Sequence, residues 1–335
     1  MKTKIVYDVI STSKDIYFEQ AWASAWTLKH YTPDAHVIIL TDVATDKTIR
    51  SDTRKKALEV IDEVIVVDFE QNYTNKEKSR WIKTNMRQLV KGDFIFIDAD
   101  TIICDNIAEI DNTKCTAIGA VLDNHCYSKE ISSYPIFQDM YVKPMKAIFK
   151  TNYNYENNMY NSGVLLVKDT PQSYMFFDKW HQNWLTSQKK GECRDQLSLL
   201  KTTQELPNTI QELDGIYNCQ IRSSVQYFIS SKILHTFASQ ENSPLSIIFG
   251  LDIYYEIKKY GYITEKVSAQ LLNCKNSFSS PSIIIDKHWL NISYNPTFIV
   301  INQLLDKTQL IEKICLSILN FTARTIGWLL RHLAK

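Results

Sequence analysis

The first 170 residues alternate between two hydrophobic periods, and this alternation restricts the fold more than any other feature of the sequence. Short runs of apolar and β-branched residues predict strands at 5–10, 36–41, 64–67, Phe94–Ile97, 117–121 and 163–167. Helical patterns lie between several of these runs, at 18–30, 47–60 and 76–90. Apolar strands that alternate with helices are typical of a mostly parallel sheet covered by helices on both faces. The sequence therefore predicts an α/β/α sandwich.

Composition and charge narrow the class of protein. The chain has 335 residues, 44% of them hydrophobic, which suffices for one large domain and an appendage. A formal net charge of +1 gives no reason to expect nucleic acid as a partner. The seven cysteines are scattered without a C-x-x-C pair, which argues against a zinc ribbon or a disulfide framework. With no secretory pattern at the N-terminus and no apolar run long enough to span a membrane, we expect a cytoplasmic protein.

The pattern changes near residues 240–245, where the sequence reads QENSP over 240–244. Before this point, residues 173–185 predict an aromatic-rich helix, and a second helical pattern opens after Gly191. Beyond it, Tyr-, Ile- and Lys-rich segments follow without strand alternation. We therefore predict a catalytic domain over 1–240 and a largely helical C-terminal extension over 241–335.

Two carboxylates directly follow the apolar strand Phe94–Ile97. Asp98 and Asp100 are two residues apart, so on an extended strand end their side chains point to one side. An unpaired buried carboxylate is costly, which leaves a solvated strand end or a bound cation. Carboxylate oxygens coordinate Mg²⁺ or Mn²⁺ well. In sheets of this kind, small molecules bind at the carboxyl ends of the strands, which is where this pair lies. The pair is therefore a candidate metal site.

Three further polar groups follow along the chain. Asn161 and Ser162 precede Gly163 and an apolar run, where they either contact a ligand or form a turn. Asp195 and Gln196 begin a helical pattern, where a carboxylate and an amide could hold hydroxyl groups or cap the helix. His235 follows another apolar run and is either a metal ligand or a structural histidine.

These motifs in this order resemble the glycosyltransferase family 8 pattern within the GT-A fold. The matching segments are FIDADT from Phe96, NSGVLL from Asn161, Asp195-Gln196 and Leu234-His235. Residues 9–31 are similar to that family's opening strand, nucleotide-binding turn and first helix, and the resemblance covers roughly residues 1–240. It implies a GT-A type, Rossmann-like sandwich that transfers a sugar from a nucleotide-sugar with retained anomeric configuration.

The resemblance also implies roles for single residues. It assigns the metal, Mn²⁺ or Mg²⁺, to Asp98, Asp100 and His235. It assigns nucleotide contacts to the turn after the first strand, with Ser11, Thr12 and Tyr17, and to Asp98 and Ala99. Donor-sugar contacts fall to Asn161, Ser162, Asp195 and Gln196, the last two being catalytic. A UDP-sugar is the implied donor.

One departure from the family concerns the charge on the diphosphate. The family's histidine is followed by a Gly and a Lys that contact the phosphates, whereas His235 is followed by Thr-Phe-Ala-Ser-Gln. Replacement cations could come from Arg80 and Lys83, which share a face of the predicted helix 76–90. Arg87 is on the same face, and we expect it to be a solvated surface residue.

The C-terminal segment 311–335 has the pattern of an amphipathic basic helix. Its polar stripe consists of Lys313, Ser317, Asn320, Arg324, Gly327, Arg331 and Lys335, and apolar residues with a Trp cover the remaining surface. This pattern is expected of a helix that lies in a membrane surface, or of one docked on the core or a second subunit. Contact with the inner face of the cytoplasmic membrane would suit a lipid-linked or lipopolysaccharide acceptor.

Other functions remain open at the level of the sequence. A sugar-phosphate nucleotidyltransferase also uses an α/β sandwich, but it would need a Gly-rich basic loop after the first strand, and residues 11–17 contain no Gly. A non-catalytic nucleotide- or carbohydrate-binding protein could keep the same fold. A metal-dependent phosphohydrolase would use Asp98 and Asp100 but would not need the Asn161 or Asp195 groups.

Overall fold

The protein is represented by a computed structural model that describes residues 1–51, 53–69, 72–131, 137–221, 223, 226–237 and 251–275. All of these belong to one unit, Met1–Ser239 with Leu245–Lys275. A second unit, Gln240–Pro244 with Asn276–Lys335, lies outside the described residues. The predicted helix 311–335 therefore stays a prediction.

The strands of the described unit are short and mostly buried. They are β1 Lys4–Asp8, β2 Val37–Asp42, β3 Glu63–Val67, β4 Phe94–Ile97, β5 Thr101–Ile103, β6 Ile118–Leu122, β7 Tyr160–Val167, β8 Ile210–Glu212, β9 Cys219–Gln220 and β10 Ile233–His235.

The α-helices follow the predicted alternation in the first half of the chain. They are α1 Tyr17–Tyr31, α2 Val43–Ile49, α3 Asn75–Leu89, α4 Ser128–Ile131, α5 Lys143–Phe149, α6 Pro171–Gln188, α7 Asp195–Glu205, α8 Asp252–Tyr260 and α9 Glu265–Leu272.

A seven-stranded sheet forms the centre of the fold, in the order β3-β2-β1-β4-β7-β6-β8. The β1–β2, β2–β3, β1–β4 and β6–β8 pairs are parallel, while β7 is antiparallel to both β4 and β6. A small second sheet, β5-β10-β9, continues from the end of β4. The predicted α/β class with a mostly parallel sheet is confirmed.

Helices cover both faces of this sheet. Val6 of β1 packs in a buried cluster with Ile82 of α3 and Trp180 of α6. Its neighbour Tyr7 shares a buried 3.0 Å hydrogen bond with Ser24 of α1. Because successive strand residues point to opposite faces, α3 and α6 lie on one side of β1 and α1 lies on the other.

The predicted helix 47–60 is wrong in its extent. The chain instead forms α2, whose first turn is capped by Asp42 accepting from the Thr45 N–H at 2.8 Å, and a separate 3₁₀ helix, Lys55–Glu59. Between them Arg54 turns inward to a buried partner on α1. A tertiary contact therefore interrupts a segment whose local pattern was helical.

The expectation that Arg87 is a solvated surface residue is also wrong. Its side chain is fully buried, and its guanidinium donates to the carbonyls of Val90 and Gly92 just beyond α3. The rings of Phe94 and Tyr174 pack against the guanidinium, with their centroids 5.0 and 4.8 Å from its carbon atom. Arg87 thus satisfies backbone acceptors after the helix end and fixes the entry into β4.

Residues 251–275 belong to the same unit as the sheet, and α8 and α9 both contact α1. Cys274, just after α9, lies with its Sγ 3.4 Å from the Sγ of Cys104 at the end of β5. Within the described ranges, no helix is both long enough and apolar enough to cross a membrane.

A buried ion pair ties α1 to the chain after β2. Glu19 and Arg54 meet in a two-point contact, with Nε to Oε1 at 2.8 Å and Nη2 to Oε2 at 3.0 Å. Arg54 Nη2 also donates to the Thr12 carbonyl at 2.9 Å, in the turn that follows β1. The pair therefore positions this turn as well as the helix.

We predict that Arg54→Met lowers the free energy of unfolding by about 3–5 kcal/mol, because it leaves the Glu19 carboxylate buried without a partner. Chemical denaturation monitored by circular dichroism measures the change. The matched control is Glu19→Met/Arg54→Met, which removes both charges and should be clearly more stable than the single variant. A double variant as unstable as Arg54→Met would contradict the role of the unpaired charge.

Candidate active site

The turn that carries Asp98 and Asp100 is fixed by backbone contacts on both sides. The Asp98 N–H donates to the Gly163 carbonyl at 2.7 Å, and the Asp98 carbonyl accepts from Thr101 Oγ1 at 2.9 Å. The Asp100 carbonyl accepts from the N–H and the hydroxyl of Thr236, at 3.0 and 2.8 Å. The backbone that carries both carboxylates is therefore fixed where β4 ends and β5 begins.

His235 joins these carboxylates through the small sheet. The antiparallel pairing of β10 with β5 places His235 opposite Thr101, and its Nε2 lies 3.3 Å from Asp100 Oδ1. Ligand atoms of Asp98, Asp100 and His235 lie within 4.8 Å of one another. The structure thus brings together the three residues predicted as metal ligands.

The chemistry of this group fits a divalent cation. Burial would raise the pKa of Asp100, but His235 in its protonated form, followed by the backbone and Lys83, lowers that pKa. Two carboxylates and an imidazole nitrogen are a ligand set suited to Mn²⁺ and related metals. Asp98, Asp100 and His235 could therefore hold such an ion.

Gly163 makes room for the histidine. A Cβ at this position would lie 2.4 Å from His235 Cε1 and 2.8 Å from Asn161 Oδ1, both closer than real contacts allow. The imidazole therefore packs directly against the backbone of β7, in a place that only glycine leaves free.

A second polar group surrounds Asp195, the first residue of α7. Its carboxylate lies 3.0 Å from Arg80 Nε and 3.5 Å from Lys83 Nζ, and it accepts from Ser162 Oγ at 2.6 Å. Burial would raise the pKa of Asp195, but Lys83 and Arg80 lower it far below its usual range. The carboxylate is therefore ionised, and it is used in these contacts instead of capping α7, whose N-cap is Arg194.

Lys83 links the two groups. Its Nζ donates to Asp98 Oδ1 at 2.8 Å, and it lies over the Phe96 ring at 4.9 Å. Burial would lower the pKa of Lys83, but Asp195 and Asp98 more than compensate and raise it, so the side chain is charged. Since Lys83 is almost fully buried, it acts through these two carboxylates.

The direction of β7 explains why Asn161 and Ser162 reach this site. Both lie inside β7, which excludes the alternative that Asn161 is a turn residue before the strand. Because β7 runs antiparallel to β4, its amino end lies beside the carboxyl end of β4. Ser162 there contacts Asp195, and Asn161 donates to Asp123 Oδ1 at 2.9 Å.

The predicted nucleotide-binding turn after β1 is organised by Asp15. Ser11 Oγ donates to Asp15 Oδ1 at 2.6 Å, and both the N–H and the hydroxyl of Thr12 donate to Oδ2 at 2.8 and 2.7 Å. Tyr17 begins α1 with 41% of its surface exposed. This turn lies at the same sheet edge as the carboxylate pair, since β1 and β4 are parallel neighbours, but the described contacts do not join it to the metal group.

The remaining predicted residues are close to the site. Ala99 lies half-buried between the two carboxylates. Gln196 follows Asp195 on α7, and its Nε2 donates to the Tyr160 carbonyl at 2.6 Å.

Three buried residues at this edge were not found from the sequence. Asp8 ends β1 and accepts from Ser79 Oγ at 2.6 Å, and burial raises its pKa to about 6. Asp123 directly follows β6, so the reasoning applied to Asp98 would have found it. Asn218, which contacts His235, lies in a short 3₁₀ helix and carries no sequence signal.

Comparison with known proteins gives the fold. No family model and no curated protein matches the sequence. Among solved structures, galactosyltransferase LgtC in complex with donor and acceptor sugar analogues has a TM-score of 0.51 at 12% identity, covering 80% of this chain and 100% of that one. The bifunctional glycosyltransferase WbbM has a TM-score of 0.50 at 13% identity, covering 80% of this chain and 51% of that one. Mouse xyloside xylosyltransferase 1 has a TM-score of 0.48 at 15% identity, covering 72% and 99%.

The likeness to LgtC and WbbM shows that this chain has a GT-A type α/β fold. The fold expected from the sequence resemblance is therefore confirmed.

We predict that Gly163→Ala weakens divalent-metal binding about 10–100-fold, as loss of a ligand's supporting contacts typically does, because the added Cβ displaces the His235 ring. Titration calorimetry with Mn²⁺ measures the affinity. The matched control is Gly119→Ala on β6, whose Cβ would have its three nearest neighbours on the Leu213 side chain, away from His235. Equal metal affinity in the two variants would contradict this role for Gly163.

Proposed function

We propose that this protein is a metal-dependent glycosyltransferase that moves a sugar from a nucleotide-sugar, a UDP-sugar, to a glycan or lipid-linked acceptor with retention of configuration. The observation that carries the proposal is the convergence of Asp98, Asp100 and His235 at the carboxyl edge of a GT-A type sheet. LgtC, which shares this fold, is a galactosyltransferase solved with donor and acceptor sugar analogues.

In this proposal Asp98, Asp100 and His235 hold Mn²⁺ or Mg²⁺. A divalent cation at this place supplies Lewis-acid stabilisation of the negative charge on a departing nucleoside diphosphate. The protein's own contribution is rigidity, because the turn around Ala99 is tied to β7 and to Thr236 before any ligand arrives.

Asp195 is the residue best suited to the sugar. Its carboxylate is kept ionised by Lys83 and Arg80, and negative charge near the anomeric carbon stabilises the positive charge that develops as the glycosidic bond breaks. Ser162 orients the carboxylate through a 2.6 Å hydrogen bond. Gln196 Nε2 donates a hydrogen bond to the Tyr160 carbonyl. This contact leaves Gln196 Oε1 as the acceptor for a sugar hydroxyl.

The nucleotide would bind along the same edge. The turn of Ser11 and Thr12, stiffened by Asp15, would meet the base and ribose through its backbone, and the exposed Tyr17 ring would pack on the base. Ala99, between the metal carboxylates, would contact the ribose. Asn161, whose chain neighbour Ser162 contacts Asp195, would contact the donor sugar.

The first prediction of this proposal concerns UDP. We expect UDP to bind in the presence of Mn²⁺ and not in EDTA, and Asp98→Asn/Asp100→Asn to abolish the binding, because the metal loses two charged ligands. Isothermal titration calorimetry measures both effects. The control is Asp105→Asn, an exposed carboxylate five residues beyond Asp100, which should bind as the wild type does.

Turnover then separates an enzyme from a binding protein. Wild type should hydrolyse or transfer from a UDP-sugar, while Asp195→Asn should bind UDP yet lose roughly 100-fold in turnover, the size expected for one electrostatic contact made in the transition state. Failure of UDP, GDP, CMP and dTDP alike to bind would overturn the nucleotide-sugar proposal. Binding without any turnover would favour a non-catalytic protein.

We further propose that the acceptor lies at the cytoplasmic membrane face, in lipopolysaccharide or polysaccharide synthesis, and that segment 311–335 contacts the membrane. Support comes from the cationic stripe and wide apolar face of this segment. We expect deletion of 311–335 to abolish co-sedimentation with anionic lipid vesicles while UDP binding persists. Unchanged co-sedimentation would contradict the proposed membrane contact.

A further inference from the structure

A chain of buried amide groups runs from the backbone of β7 to the imidazole of His235. The Gly163 N–H donates to Asn161 Oδ1 at 2.9 Å, and Asn218 Nδ2 donates to the same oxygen at 2.9 Å. Asn218 Oδ1 lies 3.0 Å from His235 Nδ1. The three side chains are buried, Asn218 completely, so each polar atom depends on its protein partner.

The direction of every hydrogen bond in this chain follows from its first member. A backbone N–H can only donate, so the Asn161 atom facing Gly163 is its oxygen, and its Nδ2 is the atom that reaches Asp123. The Asn218 atom facing that oxygen must then be a donor, which is Nδ2. This leaves Asn218 Oδ1 facing His235, and because an amide oxygen only accepts, the proton is on Nδ1.

We infer that Asn218 is a positioning residue that holds neutral His235 as its Nδ1–H tautomer and so turns the lone pair of Nε2 towards Asp98 and Asp100. This inference rests on the metal site of the proposed function and adds to it the residue that prepares its nitrogen ligand. It does not depend on which nucleotide or sugar is bound.

The tautomer decides what the site can do. With the proton on Nδ1, Nε2 and Asp100 Oδ1 are two acceptors 3.3 Å apart, an arrangement that a shared cation satisfies. With the proton on Nε2, the imidazole would donate to Asp100 and occupy its oxygen, and Asn218 Oδ1 would face a lone pair in the protein interior. Partners of metal-bound histidines commonly fix the tautomer in this way.

Ring ¹⁵N chemical shifts report the tautomer directly. The experiment uses full-length protein labelled with ¹⁵N-histidine, treated with EDTA and held in mildly alkaline buffer, where free imidazole is neutral. The chain has seven histidines, and the spectrum that loses one ring in His235→Gln assigns the signal. We expect a protonated Nδ1 and an unprotonated Nε2, and the reverse pattern would overturn the inference.

Two substitutions of Asn218 isolate the acceptor. Both Asn218→Leu and Asn218→Asp lose the Nδ2 donor to Asn161, but only the carboxylate of Asn218→Asp still accepts from Nδ1–H. We expect Asn218→Asp to keep the Nδ1–H pattern and Asn218→Leu to move to mixed or Nε2–H tautomers. An unchanged tautomer in folded Asn218→Leu would show that packing alone sets it and would overturn the inference.

Metal affinity provides the second measurement. Calorimetry with Mn²⁺ should show a loss of about 10–100-fold for Asn218→Leu, the range for second-shell partners of metal-bound histidines, and a smaller loss for Asn218→Asp. The matched control is Asn183→Leu, which removes a buried amide that donates to Thr202 and Glu205 and leaves the His235 contacts intact. An equal loss in this control would overturn a specific role for Asn218.

The outcomes remain decisive if one variant fails. Should Asn218→Leu not fold, the wild-type and Asn218→Asp spectra decide, because an Nε2–H pattern in either contradicts the inference. Since the spectra are recorded without nucleotide or sugar, a protein that lacks transferase activity can still show the expected tautomer. An active transferase with the Nε2–H form would refute the inference alone.

Discussion

The site depends on how carboxylates remain charged at the carboxyl end of β4. Asp98 and Asp195 share the buried ammonium of Lys83, and Asp195 has Arg80 as a second partner. Asp100 has no such lysine or arginine among its described contacts and faces His235 instead. Charged carboxylates in a protein interior need compensating charge. One part of this edge is therefore neutralised by the protein, and the part around Asp100 and His235 is suited to a metal ion.

The elements that could be predicted are those whose signals are local. The strand Phe94–Ile97 was predicted with its observed bounds, because its four apolar residues lie between Asp93 and Asp98, which mark both ends. The predicted helix 47–60 failed because Arg54 pairs with Glu19, a residue 35 positions earlier. Arg87 was misjudged because its i, i+3, i+7 spacing with Arg80 and Lys83 tells which residues share a face but not which face is buried.

For the site, sequence order identified the residues but not how they act together. Asp98, Asp100 and His235 meet because β10 pairs with β5 in one register, and no local signal encodes that pairing. Asn161 and Ser162 reach the site because β7 is antiparallel, which apolar periodicity does not reveal. Asn218 could not be predicted, since its function consists of two side-chain contacts with distant residues. Asp123 could have been, from its place at a strand end.

The geometry also distinguishes Arg80 from Lys83, the two candidates for replacing the missing lysine. From 236 to 250 the sequence contains no Lys or Arg, so the segment after His235 adds no positive charge. Lys83 is only 2% exposed and is bound to Asp98, whereas the Arg80 side chain is 30% exposed while it pairs with Asp195. In the proposed reaction we therefore expect Arg80, with the metal, to meet the diphosphate. Lys83 would act only through Asp98 and Asp195, because its ammonium group pairs with both carboxylates and is buried away from solvent.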